Sequence, residues 1–182
     1  MRKLYPSCDF YISLTDVLSR DDISGVVIAT PAETHFMLAR KVLQSSKHVF
    51  VEKPLTLSGK DAEELIALAQ KKNLVLMVGH LLQYHPAFIK LKQLAQEGEL
   101  DRINYIYSHR LNLGKIRREE NILWSFAPHD ISMILALAGE EPESVIATAG
   151  IICIKNRRCH DNPSGIFLRT ESSCICFVAA SL

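Results

Sequence analysis

The sequence predicts an α/β fold, in which part of a doubly wound parallel sheet is followed by the start of an α+β domain. Three short apolar runs rich in β-branched residues alternate with two segments of helical periodicity, which indicates the order strand, helix, strand, helix, strand. Polar residues follow each run, as they do where ligands bind at the carboxyl ends of parallel strands. Because the chain contains no G-x-G sequence, we expect the first strands and the glycine-rich turn of such a sheet to be missing.

Length and composition narrow the class of protein. The 182 residues are 48% hydrophobic and carry a formal net charge of +1, which allows one core or a core plus part of a second. The near-neutral charge argues against nucleic-acid binding, because the basic run at 115–118 is followed at once by two glutamates. No apolar run approaches the roughly 20 residues that span a bilayer, and no signal peptide is recognisable. We therefore expect a cytoplasmic protein without membrane contact, in which the five cysteines are reduced.

The first strand is predicted at 25–30, where GVVIAT is typical of a strand covered on both faces. A helix should follow, with Thr30 as its cap, Pro31 at its first position and Glu33 completing a capping box. This helix should end near 45–46. The side chains predicted to face the core are Phe36, Leu38, Ala39, Val42 and Leu43.

The second and third strands are predicted at 47–52 (KHVFVE) and 74–79 (LVLMVG). The segment between them has the pattern of an amphipathic helix, with Ser58 and Asp61 as a second capping box, acidic residues early and lysines late. Together these elements make a βαβαβ unit, which is half of a doubly wound sheet.

A change of pattern after Pro86 indicates a second domain. A helix should begin at this proline and stop at Gly98. RINYIYSHR at 102–110 alternates, with one face more exposed than the other, which is typical of an antiparallel strand. A further helix is predicted at 128–138, stopped by Gly139. Its first turn should hold His129 and Asp130, and its inward side chains should be Ile131, Ile134, Leu135 and Ala138.

Polar groups end all three predicted strands, as TP at 30–31, EKP at 52–54 and GH at 79–80. A Glu-Lys pair is usually a solvated part of a loop. Here the pair follows a buried strand at the rim of a sheet, and Pro54 favours an extended backbone at Lys53, which directs its side chain. This context favours a functional site at the carboxyl ends of the strands.

Three motifs at these strand ends carry a family resemblance, namely TPAETH at 30–35, EKP at 52–54 and GHLLQYHP at 79–86. In this order they resemble the successive motifs of the Gfo/Idh/MocA oxidoreductases, a family of NAD(P)-dependent sugar and polyol dehydrogenases. The resemblance covers roughly residues 5–150. It implies a partial dinucleotide-binding domain of the Rossmann type at 1–83 and the start of an α+β substrate and oligomerisation domain at 84–150.

The resemblance implies a catalytic role for Lys53, beside the nicotinamide and the reacting hydroxyl, as acid/base or as its electrostatic partner. This chemistry is reasonable because oxidising an alcohol needs a base or relay within hydrogen-bond reach. Glu52 would meet the nicotinamide ribose, and His129 would be the base or a substrate ligand, where a lone histidine is otherwise a cap or a surface residue. The implied cofactor is NAD or NADP, with contacts from Thr30, Pro31, His35, Glu52, Lys53 and His80.

Two positions depart from the family pattern. Ser125 stands where the family often has an aspartate, four residues before the histidine, so the division of proton transfer between Lys53 and His129 stays open. Gln83 stands where an arginine is often found, which removes a possible substrate contact.

The stretch RLNLGKIRREENILWSFAPHD resembles the branch of the family that oxidises nucleotide-linked amino sugars such as UDP-N-acetylglucosamine. The resemblance implies a sugar or nucleotide-sugar substrate, with arginines able to bind diphosphate oxygens in pairs. The alternative is a solvated charged loop, since Glu119 and Glu120 offset the basic residues. The implied substrate contacts are Lys53, Tyr84, Arg110, Asn112, Lys115, Arg117, Arg118 and His129.

Two functions of different class remain open. The chain is either a piece of an NAD(P)-dependent dehydrogenase, with little activity as a separate chain, or a non-catalytic protein that keeps the fold for binding or scaffolding. Family members usually form homo-oligomers, so the resemblance implies association with further copies.

Residues 151–182 differ from what precedes them, since cysteines and serines accumulate and no clean period of 2 or 3.6 persists. A one-base shift of the reading frame near the codon for Gly150 would explain this change, and we expect such a tail to be poorly packed. Zinc binding by the late cysteines with His160 is a weak alternative, because their spacing fits no common zinc pattern. No metal site is therefore predicted.

Overall fold

The chain divides into two compact units, Met1–Gly79 and His80–Leu182. The boundary lies a few residues before the one predicted at 83, and the GHLLQYHP motif is therefore shared between the units. The computed structural model describes residues 3–111, 122–148, 164–169 and 174–180.

The first unit alternates helices and strands. It opens with the short helix α1 (Leu14–Leu18), which no sequence pattern predicted. Its three strands pair in parallel in the order in which they follow along the chain, so the predicted βαβαβ unit is confirmed. The further elements are β1 (Gly25–Ile28), α2 (His35–Gln44), β2 (His48–Val51), α3 (Gly59–Lys71) and β3 (Leu76–Val78).

The core of this unit lies on one face of the sheet, against α2 and α3. Phe36 and Leu38 pack partly buried at its margin, as predicted for the inward face of α2. The buried members of the core are each at most 4% exposed, and they are Ile28, Ala39, Val42, Leu43, Val49, Val51, Leu65 and Ala69. The core thus holds α2 and α3 on the sheet and fixes where the strands end.

The opposite face of the sheet is more open than predicted. Val27, Phe50 and Met77 are aligned across the three strands, and Val27 is 70% exposed. Both long helices pack against the other face, because α2 and α3 also contact each other. The prediction that the first strand is covered on both faces is therefore wrong for the part of the chain that the structure describes.

Neither predicted capping box forms. The helix predicted after β1 begins as a 3-10 turn at Ala32–Thr34 and becomes α-helical, as α2, at the next residue. Thr34 Oγ1 donates to the carbonyl of Pro31 (2.7 Å), so Thr30 Oγ1 donates to Thr34 Oγ1 (2.7 Å) and does not cap the backbone. Ser58 is the N-cap residue of α3, but its side chain makes no capping bond.

The second unit combines helices with a mixed sheet. Its strand order is β4-β7-β6-β5, in which β5, β6 and β7 pair antiparallel and β4 pairs in parallel with β7. The elements are a 3-10 turn at Leu81–Tyr84, then α4 (Pro86–Gln96), β4 (Tyr105–Leu111), α5 (Ile122–Ala138), β5 (Ser144–Thr148), β6 (Ser164–Arg169) and β7 (Cys174–Ala180).

The antiparallel prediction for 102–110 is wrong, since the one neighbour that β4 has among the described strands, β7, runs parallel to it. The predicted alternation is confirmed, because Tyr105 and Tyr107 are 69% and 62% exposed while Ile106 and Ser108 are half-buried. An edge strand with one open face alternates whichever way its neighbour runs. The pattern therefore reports exposure and not strand direction.

The two helices of this unit differ in how well their limits were predicted. α4 begins at Pro86 and is followed by Gly98 at φ 78°, both as predicted. α5 ends before Gly139 (φ 71°) as predicted, but it begins at Ile122 and includes Pro128 as an interior residue. Proline favours the first turn of a helix without being confined to it, so the start was misplaced.

Two of the four strands of the second sheet come from residues beyond 150. The structure thus has strands at 164–169 and 174–180, within the tail that is expected to be poorly packed. The burial of these residues is not among what the structure describes, so that expectation stays a prediction. The side chains of the tail's cysteines, and His160, lie outside the described residues, and so does the zinc alternative.

Candidate active site

The carboxyl ends of the three parallel strands meet at one edge of the first unit. Ile28, Val51 and Val78 are the last residues of their strands, and the first two are paired in register, as are the last two. The hydrogen-bond ladder continues one residue further, because Glu52 N donates to Ile28 O (2.9 Å) and Gly79 N donates to Val51 O (2.8 Å). The backbone of the residues that carry the predicted chemistry is thus held by the sheet.

Glu52 is half-buried and lies against Gly79. A Cβ atom added to Gly79 would be 3.1 Å from Glu52 Oε2, 3.2 Å from its Cδ and 3.2 Å from Phe50 Cζ. A side chain at position 79 would therefore crowd the Glu52 carboxylate, and glycine leaves room for it. A carboxylate accepts hydrogen bonds from hydroxyl groups, which is what the predicted contact with the nicotinamide ribose requires.

Lys53 is half-buried at the same edge. Its backbone N–H donates to Glu52 Oε2 (3.3 Å), and its peptide bond to the buried Pro54 is cis. Thr30 and Pro31, two of the predicted cofactor contacts, are exposed beyond the end of β1. Thr30, Pro31, Glu52 and Lys53 are thus at least partly accessible at the strand ends, and their contacts with a cofactor stay a prediction.

His35 has a different position from the one predicted. It is 1% exposed, with Nδ1 2.7 Å from Pro54 O and Nε2 2.8 Å from Thr30 O. Both ring nitrogens are occupied by backbone carbonyl groups, so the predicted direct contact from this ring to the cofactor does not fit the structure. The sequence motif identified the residue, but one of its two partners, Pro54, is 19 residues away along the chain.

Two histidine rings lie together in the second unit. His80 and His129 are half-buried, with ring centroids 6.2 Å apart in an edge-to-face arrangement. His80 Nδ1 is buried and has no hydrogen-bond partner among the described residues. Burial lowers the pKa of His80 below its ordinary value. His80, predicted as a cofactor contact, thus neighbours the predicted substrate ligand within its own unit.

His129 lies in the middle of α5 and not in its first turn, because the helix begins at Ile122. The next residue, Asp130, is 3% exposed and accepts a hydrogen bond from Ser108 Oγ (2.7 Å). This bond ties α5 to β4 and fixes the rotation of the helix beside His129. An acidic residue inside an apolar helical stretch was the sequence signal for such a buried contact.

Gln83, the residue that replaces the expected arginine, joins the 3-10 turn to α5. Its Nε2 donates to the carbonyl of Ser132 (2.7 Å), while Ser132 Oγ donates to the carbonyl of His129 (2.8 Å). Sequence reasoning counted this position only as a lost substrate contact. Tyr84, one residue later, is 61% exposed and free to meet a ligand from solvent.

Several predicted substrate contacts lie outside the described residues, namely the side chain of Arg110 and all of Asn112, Lys115, Arg117 and Arg118. Lys53 belongs to the first unit and His129 to the second, so their pairing across a site stays a prediction. Over the described ranges, no three histidine, cysteine or acidic side chains form a group that could hold a metal ion. No helix in the same ranges is long and apolar enough to cross a membrane.

The sequence is similar to those of several curated enzymes. UDP-N-acetylglucosamine 3-dehydrogenase from Acidithiobacillus ferrooxidans is 31% identical over 156 residues, which cover 85% of this chain and 46% of that enzyme. 2,7-anhydro-N-acetylneuraminate hydratase from Mediterraneibacter gnavus is 26% identical over 175 residues, covering 91% of this chain and 47% of the enzyme. The chain therefore spans about half the length of these curated relatives.

The second alignment also corrects an expectation. Its share of 91% is more than the residues before 150 can supply, so the similarity extends into the tail and does not end near Gly150. Among solved structures, GenD2 from gentamicin A biosynthesis in complex with NAD superposes with a TM-score of 0.86. That superposition covers 98% of this chain and 54% of GenD2 at 21% identity, which shows the fold.

A family model described as the NAD-binding Rossmann fold of an oxidoreductase family matches residues 4–80. This range contains all three parallel strands, the EKP turn and Gly79, whose geometry is given above. The chain therefore carries, over residues 4–80, an NAD-binding Rossmann domain of the Gfo/Idh/MocA oxidoreductase family.

Proposed function

We propose that this protein transfers a hydride between a hydroxyl group of a sugar or nucleotide-sugar and NAD or NADP. The observation that carries the proposal is the EKP turn, residues 52–54, at the end of a buried parallel strand. There the carboxylate of Glu52 lies against Gly79, with Oε2 3.1 Å from the position that a Cβ atom on this glycine would take. Ligands of doubly wound sheets bind at this edge of the sheet.

The relatives support the substrate class. One curated relative at 31% identity acts, by its name, on UDP-N-acetylglucosamine, and another at 29% identity is the inositol 2-dehydrogenase of Rhizobium meliloti. Both are dehydrogenases of polyhydroxylated rings, in keeping with the expected sugar substrate. The chain spans about half the length of these enzymes. The activity is therefore proposed for the protein as its gene encodes it.

The residues at the strand ends fit a dinucleotide. Thr30 and Pro31 are exposed beyond β1, and the Glu52 carboxylate is an acceptor for ribose hydroxyls beside Gly79. A bound nicotinamide ring supplies the acceptor for the hydride. The chain contains no G-x-G sequence, so any pyrophosphate contact of the usual glycine-rich type would come from outside these residues.

Lys53 and His129 are the groups proposed to move the proton. Oxidation of an alcohol releases a proton from its hydroxyl, and a lysine or histidine within hydrogen-bond reach takes it. Lys53 is half-buried, and the residue before it is hydrogen-bonded to β1 at the end of β2. This restraint on the backbone limits the positions that the amine of Lys53 can reach. His129 is half-buried beside His80 and serves as the second proton acceptor or as a ligand of the substrate hydroxyl.

Replacing Lys53 with alanine tests this assignment. We expect Lys53→Ala to lower turnover by roughly 100-fold or more, the loss typical of removing a positioned acid or base. Turnover is followed by NAD(P)H absorbance with UDP-N-acetylglucosamine and myo-inositol as first substrates. Dinucleotide binding, followed by calorimetry, should stay measurable, because the proposed contacts from Thr30, Pro31 and Glu52 are kept.

Lys60→Ala is the matched control, since Lys60 is an exposed lysine of α3 in the same unit. His129→Ala is the companion variant, expected to raise KM more than Lys53→Ala does. Turnover of Lys53→Ala within about threefold of the wild type would contradict the role of Lys53. Dinucleotide binding by the wild type without turnover of any sugar would favour the alternative of a non-catalytic binding protein.

A further inference from the structure

His35 is the first residue of α2 and is among the most buried side chains of the first unit, with 1% of its surface exposed. Its Nδ1 lies 2.7 Å from the carbonyl oxygen of Pro54, which follows β2. Its Nε2 lies 2.8 Å from the carbonyl oxygen of Thr30, which follows β1. The ring therefore connects the two chain segments that leave neighbouring strands at the candidate site.

These contacts are hydrogen bonds and not packing alone. Both distances lie at the short end of the range of about 2.7–3.2 Å for N–H to oxygen bonds. Both partners are carbonyl oxygens, which only accept. A ring N–H of His35 therefore donates in these contacts, and the roles of the two nitrogens depend on the tautomer.

We propose that His35 is a positioning residue, which holds the EKP turn against the end of β1 through the contacts of its ring with the carbonyl groups of Pro54 and Thr30. The bond to Pro54 restrains the carbonyl group that directly follows the Lys53–Pro54 peptide. The bond to Thr30 anchors the ring to the neighbouring strand end. His35 thus acts through Lys53 and touches neither substrate nor cofactor. The effect of His35 on turnover rests on the proposed function. The two contacts with Pro54 and Thr30 are independent of that function.

Amide side chains can separate the two bonds. The amide nitrogen of glutamine takes roughly the place of Nε2, and that of asparagine roughly the place of Nδ1. His35→Gln therefore keeps a donor for Thr30 and loses the bond to Pro54, while His35→Asn does the reverse. His48→Gln is the control, because His48 is an exposed histidine at the opposite end of β2 that accepts a bond from Val75 N (2.9 Å).

Amide hydrogen exchange at Lys53 and Leu55, measured by NMR on the full chain, reports whether the turn is held. We expect roughly tenfold faster exchange in His35→Gln, and exchange within about twofold of the wild type in His35→Asn and His48→Gln. Equal exchange at these amides in the glutamine and asparagine variants would overturn the proposal, since the bond to Pro54 would then restrain nothing.

The wild-type protein supplies a second test that needs no variant and holds even if a substitution prevents folding. A ring N–H signal of His35 that is protected from exchange with solvent is expected in nitrogen-edited NMR spectra. A ring N–H of His35 that exchanges rapidly would overturn the proposal, because neither carbonyl group would then hold the ring. Neither measurement involves turnover or a cofactor, so a failed dehydrogenase assay and a failed positioning role are distinguishable.

Discussion

Gly79 stands at the end of β3, where an added methyl group would lie 3.1 Å from Glu52 Oε2 and 3.2 Å from the ring of Phe50. Such distances are closer than side chains normally pack, so a neighbour has to move. Phe50 belongs to β2 and is paired on both sides, which leaves the Glu52 carboxylate as the group that shifts. A position without a side chain thus determines where a charged side chain lies.

We expect Gly79→Ala to lower the free energy of unfolding by about 1 kcal/mol, at the low end for overpacking, because Glu52 can partly yield. Urea denaturation measures the change. Gly25→Ala is the control, since a Cβ there meets His48 at an ordinary 3.5 Å, and it should cause no loss. Equal stability of the two variants would show that Glu52 is not confined by Gly79.

His80 makes the free energy of unfolding depend on pH. Burial lowers its pKa from the ordinary value of 6.5, so the unfolded chain takes up a proton at a higher pH than the folded chain does. Stability should therefore fall as the pH drops below 6.5 and should be fully present above it. We expect His80→Gln to make the free energy of unfolding less dependent on pH in that acidic window, as measured by urea titrations at several pH values. An NMR titration of the His80 ring with its midpoint at or above 6.5 would contradict this account.

At the scale of elements, a buried polar side chain binds backbone carbonyl groups that lie outside the strands and helices. Lys47, directly before β2, is 6% exposed, and its Nζ donates to the carbonyls of Arg20 (2.6 Å) and Ile23 (2.7 Å). Those carbonyls belong to the segment between α1 and β1. Lys47 therefore holds the segment before β1 against the start of β2.

Lys47→Met should cost about 1–3 kcal/mol of unfolding free energy, because two carbonyl groups lose their charged donor while the apolar stem is kept. Thermal or urea denaturation checks the value. Lys72→Met is a matched comparison, since Lys72 Nζ also donates to a carbonyl, that of Gln44 (2.6 Å), but at an exposed site. We expect a smaller loss there, and an equal loss would mean that burial of the Lys47 contact adds nothing.

At the scale of the whole molecule, the second sheet joins parts of the chain that are far apart in sequence. Tyr105 of β4 pairs with Cys174 of β7, and β7 lies between β4 and β6. A strand with neighbours on both sides has its amide groups paired on both edges. The tail that sequence reasoning set apart therefore supplies interior parts of the sheet.

Amide exchange over 174–180 should accordingly be slow, and slower than over the edge strand β5, because opening β7 requires breaking two ladders. Mass spectrometry of peptides from the intact chain measures both segments. Rapid exchange throughout 151–182 would support the reading-frame hypothesis instead. Resequencing the gene around the codon for Gly150 would then show whether another frame continues the family.

The sequence by itself determined the order of the five elements from β1 to β3 in the first unit, but not α1, and the position of the EKP turn at a strand end. It did so because apolar periodicity and strand length are local properties, readable within a few neighbouring residues. The stop of α4 at Gly98 and that of α5 at Gly139 were predicted for the same reason, since a positive φ is a demand on one residue.

Only the tertiary structure decided the rest. His35 contacts Pro54, 19 residues away, and Gln83 contacts Ser132, 49 residues away, so both contacts depend on how distant segments pack. No local pattern distinguishes the first from a cofactor contact or the second from a lost substrate contact. The open face of the first sheet and the parallel pairing of β4 were also beyond local reasoning. An apolar run does not say which of its faces is covered, and alternation is the same for either strand direction.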